Sequence, residues 1–172
     1  MALYFNCLEM ALFALFERYT QGGPAARALL FAELSNDARV KVVRAIANQQ
    51  ESAAVAEEVD YALTCFRECV ANRNLVLHSL PTAEEGDRIT VAKAPRKGPP
   101  GHLRVYEFTL EALRAAASSV ADIESHILLL VDWLSKVENA EAEGAPRPSP
   151  PQRPAVPPSL NLLTREAPLT PI

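Results

Sequence analysis

Cysteine is scarce in this chain: three residues, an odd number with no paired spacing, which excludes a secreted disulfide scaffold and points to a reducing compartment. Cys65 and Cys69 stand four apart on one predicted helix face. No second cysteine pair and no histidine nearby in sequence completes a metal site, so buried thiols are expected, and neither metal nor cofactor. Glycine is also sparse, at six residues; there is no glycine-rich phosphate loop and no serine nucleophile elbow. A basic surplus is missing too. With net charge −4 and a pI near 5.4, nucleic acid could be held only by a local basic patch. Finally, no uninterrupted apolar run is long enough to span a bilayer. Residues 2–19 come nearest, but Asn6 and Glu9 break them, Glu17-Arg18 closes them, no positive residue precedes them and no A-x-A pattern follows. A buried core helix, no membrane association and a cytoplasmic location are the expectations.

What is present suits a folded domain. The 172 residues are 49% hydrophobic and 22% charged, enough for one real core. Leu8, Leu12, Leu15, Phe16 and Tyr19 recur at helical spacing, and Gln21-Gly22-Gly23-Pro24 ends that helix and opens the next, at 25–34. Ser35-Asn36-Asp37 supplies capping groups for a helix at 38–49. From Ser52 there is neither glycine nor proline before Pro81, and Val55, Val59, Leu63, Phe66, Val70 and Leu77 form one stripe. Arg88-Ile-Thr-Val-Ala and Leu103-Arg-Val-Tyr-Glu-Phe alternate with period two around a turn at 97–101, predicting two short strands. Thr109 caps a last long helix whose stripe runs from Leu113 through Val131 to about Glu138. The remainder, residues 139–172, holds nine of the fourteen prolines and few large apolar groups, and is expected to be a disordered tail.

The pattern predicts an all-α fold: an antiparallel, up-down bundle of four to five helices over residues 1–138. A short β-hairpin-like insert at 80–107 would separate the last two long helices.

The densest chemistry lies where the helix from Ser52 ends, in Arg73-Asn74-Leu75-Val76-Leu77-His78. Arg73 is a permanent cation suited to phosphate, and His78 titrates near neutral pH. Five residues at about 100° each set these two side chains roughly 140° apart around the axis. One straight helix cannot aim both at one atom. Either the helix unwinds near His78, or a second copy completes the site across a two-fold axis. The same three residue types also satisfy the last carbonyls of ordinary helices, which is the structural alternative.

This stretch resembles the R-N-x-x-x-H form of the motif found in HEPN domains, small helical bundles. The likeness is carried by six residues and by their place at a helix end before an insert. It implies a metal-independent endoribonuclease with a composite site at a homodimer interface. His78 would be the general acid/base for attack of a ribose 2′-hydroxyl, Arg73 would stabilise phosphoryl charge, and Asn74 would orient the site. The alternative it implies is a non-catalytic RNA- or protein-binding dimerisation module, part of a toxin–antitoxin or defence system with an inhibitory or antitoxin partner. Beside the motif, the charged residues from Arg88 to Arg104 are Arg88, Lys93, Arg96, Lys97 and Arg104, with no acid among them. This local basic run is the expected RNA-binding surface, and a solvated loop is its bland reading.

Overall fold

The computed structural model describes residues 2–95 and 102–168. In chain order the helices are α1 (Ala2–Tyr19), α2 (Pro24–Glu33), α3 (Asn36–Gln50), α4 (Ala53–His78) and α5 (Leu110–Glu143). The strands are β1 (Leu80–Glu85), β2 (Arg88–Lys93), β3 (His102–Thr109) and β4 (Leu163–Pro168). All four join one antiparallel sheet in the order β1-β2-β3-β4.

That sheet overturns the all-α bundle with a hairpin insert. The predicted pair is there, as β2 and β3, but each has gained an outer neighbour. β1 reads poorly as a strand because Leu80-Pro-Thr-Ala-Glu-Glu has Pro81 inside it and all six residues are exposed. It forms because an edge strand tolerates proline and because the two-residue turn Gly86-Asp87, with Gly86 at φ +62°, folds it back on β2. β4 arises inside the segment expected to be a disordered tail. It pairs with β3 from Tyr106↔Leu163 to His102↔Pro168, with Thr164 left over as a bulge.

The chain divides into two compact units, Met1–Arg67 with Ser119–Val156 and Glu68–Ser118 with Pro157–Ile172. Unit 1 is helical. Its core collects Phe5, Leu8, Leu12, Leu15 and Phe16 from α1, Val40 and Val43 from α3, Val59, Leu63 and Phe66 from α4, and Ile123, Ile127 and Leu130 from α5. The helical spacing of these residues puts one apolar stripe of each helix inward. Ser35 caps α3 by accepting from the Ala38 amide at 3.3 Å. Cys65 and Cys69 are buried in this α4 stripe's neighbourhood as free thiols, and burial pushes the Cys65 thiol up. No helix among the described residues is long and apolar enough to cross a membrane.

The proline-rich segment up to Val156 docks on unit 1 through its carbonyls, the groups a proline chain still has to offer. Trp133 Nε1 donates to Pro148 O at 3.1 Å, and the Tyr61 hydroxyl donates to Pro154 O. Arg153 bonds Glu57 at 2.8 Å and Glu58 at 3.0 Å and lies over the Tyr61 ring. His126, expected at the surface beside Asp122, is only 2% exposed and meets Tyr61 edge-on at 5.9 Å. Burial lowers its pKa below the usual 6.5, against a weaker pull from Glu58; the Gln152 backbone lies near, but neither ring nitrogen meets hydrogen-bond geometry. The folded state therefore binds fewer protons at His126 than the unfolded state. Stability from this residue is full above about pH 6.5 and declines as pH falls through the lowered folded value. In urea titrations at a series of pH values, His126→Phe is expected to flatten the acid-side decline between about pH 6.5 and 5; an unchanged decline would assign it to other groups.

Unit 2 sets the sheet against the end of α4 and the start of α5. Its core is Leu75, Val91, Phe108, Ala116 and Leu160, with Val76, Ile89, Tyr106, Ala112 and Leu113 packed around it. Thr109 caps α5, its hydroxyl accepting from the Ala112 amide at 3.0 Å.

Candidate functional site

α4 remains helical to its last residue, His78, so the structure shows no unwinding that would turn His78 toward Arg73. The face that matters is a different one. Asn74 and His78 are four residues apart, hence about 40° apart and neighbours on the helix surface. Both line a cleft of about 600 Å³ together with Lys93, Ala94, Pro95, Arg104 and Tyr106, all within unit 2.

The sheet side of this cleft follows from register. Lys93 on β2 lies directly opposite Arg104 on β3, so their side chains share one face, and Tyr106 stands two residues further along it. Two cations placed directly opposite each other are unfavourable unless something answers them. Lys93 Nζ donates to the Asn74 carbonyl at 3.1 Å, near the negative end of the α4 dipole. Arg104 forms an ion pair with Glu166 of β4 at 3.4 Å, with both partners about half exposed. An anion in the cleft would serve both cations at once.

Of the expected catalytic set, Asn74 and His78 are therefore brought together and Arg73 is not among the side chains lining the cleft. Its guanidinium donates to Asn74 Oδ1 at 3.1 Å, which makes it a support for Asn74. Of the expected RNA-binding set, Lys93 and Arg104 meet. Arg88 belongs to the opposite face of the sheet, an odd number of positions from Lys93, and pairs there with Glu107 at 3.2 Å. Arg96 and Lys97, and the predicted turn at 97–101, lie outside the described residues. Tyr106, weighed only as a packing residue or a base-stacking surface, both packs against the core and lines the cleft.

A second cleft, in unit 1, is of similar size at about 590 Å³ and is lined by Glu17, Arg18, Tyr19, Arg27, Glu51 and Glu138 among others. Its charges answer one another: Arg18 pairs with Glu138 at 3.3 Å, Arg27 with Glu17 at 3.4 Å, and the Tyr19 hydroxyl donates to Glu51 at 3.0 Å. The unit 2 cleft, with an imidazole, an amide and two facing cations, is the better candidate. Comparison with protein-family models, with curated proteins and with solved structures returns no match for this chain.

Proposed function

We propose that the unit 2 cleft binds the phosphodiester backbone of RNA and that His78 is its general acid/base. The observation that carries this reading is the meeting of His78, Asn74, Lys93 and Arg104 in one cleft. Lys93 and Arg104 would hold a phosphate and stabilise charge that develops on its oxygens during attack by a ribose 2′-hydroxyl. His78, exposed at the rim, would take the hydroxyl proton, and Tyr106 offers an aromatic face to a base. The likeness of Arg73 to His78 to the HEPN motif supports the same chemistry with one reassignment. The phosphate-facing charge comes from the sheet, and Arg73 acts by positioning Asn74. One chain supplies one imidazole to this cleft. A second copy, as the motif's resemblance implies, would supply the second proton-transfer group for the leaving oxygen.

The second reading, a non-catalytic RNA-binding module, is favoured by the absence of Arg73 from the cleft lining. A labelled single-stranded RNA separates the two. Cleavage by purified chain should fall by about 10²- to 10⁴-fold in His78→Ala, with binding retained. RNA bound but left whole by the wild type removes the enzyme and keeps the module; no binding removes both.

A further inference from the structure

We infer that unit 2 is a receptor for a linear peptide, and that residues 157–168 are its tethered ligand. Three kinds of contact, each typical of peptide capture, converge on that segment. The first is a backbone clamp. Asn72 Nδ2 donates to Pro158 O, and Asn72 Oδ1 accepts from the Leu160 amide, both at 2.8 Å. A single buried amide thus reads the backbone on either side of Ser159, whatever that residue's side chain. The second is an anchor: Leu160 is 1% exposed among Leu75, Val91, Phe108 and Ala116. The third is strand addition, as β4 completes the open edge of β3 with main-chain hydrogen bonds.

The division of labour is that of a ligand and its site. The receptor contributes one polar group with both hydrogen-bonding functions used, an apolar pocket and a strand edge. The segment contributes an extended proline–proline lead, which is inexpensive to order, one leucine anchor and a strand. Its neighbours at the anchor are not buried alike, since Leu162 is 70% exposed. Specificity therefore rests on Leu160. The ligand class is an extended peptide of the form Pro-Pro-x-Leu followed by a β-forming stretch. The same segment reaches the anion cleft, through Glu166 on Arg104, yet the docking itself does not depend on what that cleft binds.

Tethering gives the chain's own segment an effective concentration on the order of millimolar, so a free peptide cannot compete with it in the wild type. Disabling the anchor in cis should open the site in trans. Full-length Leu160→Asp is expected to bind a fluorescent synthetic peptide of residues 157–168, by anisotropy, at least tenfold more tightly than wild-type chain does. Adding Asn72→Ala to that variant, or placing aspartate at the leucine of the peptide, should remove the binding. A Leu160→Asp chain that keeps its helical circular dichroism and does not bind the peptide overturns the inference, as does equal binding by the wild type. Should Leu160→Asp fail to fold, a protease site inserted between Val156 and Pro157 of the full chain answers the same question. After cleavage the released segment should stay with the body through gel filtration and exchange with excess labelled peptide. Unfolding on cleavage, or a segment that never exchanges, makes it part of the core and the inference wrong.

Discussion

Asn72→Leu is expected to cost about 2–6 kcal/mol, the largest stability effect of any single polar substitution in unit 2. The figure follows from what the change strands. Asn72 is 1% exposed and uses both halves of its amide, so leucine leaves the Leu160 N–H and the Pro158 carbonyl without their partner. Each orphaned buried group costs roughly 1–3 kcal/mol. Against a total stability of about 5–15 kcal/mol, that is a large share. Urea unfolding followed by circular dichroism measures it, and a shift below about 0.5 kcal/mol would mean the clamp contributes little. Asn72→Asp makes a useful companion. Its carboxylate can still accept from the Leu160 amide but faces the Pro158 carbonyl with no donor, so it should fall between the wild type and leucine.

The second large effect concerns binding. Replacing Lys93 and Arg104 together by glutamine should weaken binding of single-stranded RNA by at least about 100-fold at low salt. It should also lower the slope of log affinity against log salt by about 1.4, for two lost phosphate contacts. Folding should be spared, because the two cations face each other across β2 and β3 and their removal relieves repulsion. Arg88→Gln is the control. It lies on the other sheet face, paired with Glu107, and should leave both quantities nearly unchanged. An affinity and slope untouched by the double change would place RNA elsewhere or nowhere on the chain.

The helices were legible because their signals are local. Leu8, Leu12 and Leu15 mark α1, Gly23-Pro24 the start of α2, and Thr109 the start of α5, each within a few residues of what it determines. β2 and β3 were legible through their alternation. β1 was not, since its sequence carries proline and two acids and its strand form comes wholly from β2 beside it. β4 was hidden more deeply. Composition marks residues 139–172 as a tail, and nothing in Leu163–Pro168 announces a partner some sixty positions back in β3. Composition registers how little apolar surface a segment has, and one leucine in the right pocket with one clamping asparagine was enough here.

At the site, the six-residue motif drew the eye to Arg73 and His78, the residues with evident chemistry. The helical arithmetic that separates them also joins Asn74 to His78, and that pair is what the cleft contains. The partners of that pair could not be read in advance. Lys93 and Arg104 meet through strand register, which a basic run in sequence does not specify. Asn72 escaped notice because an asparagine among helix-forming residues has no signature until its ligand, 88 positions later, is in place.

That interval has a duration. A ribosome adding about 5–20 residues per second needs roughly 4–18 s to travel the 88 residues from Asn72 to Leu160. Throughout that time α4 and the strands β1 to β3 have been made while the leucine that completes their core has not. Every nascent chain thus passes through a stage with the groove built and vacant, and on a shared message the chain ahead already carries a finished segment. The rate of translation, rather than the strength of any one contact, then sets how long the groove waits for its own segment.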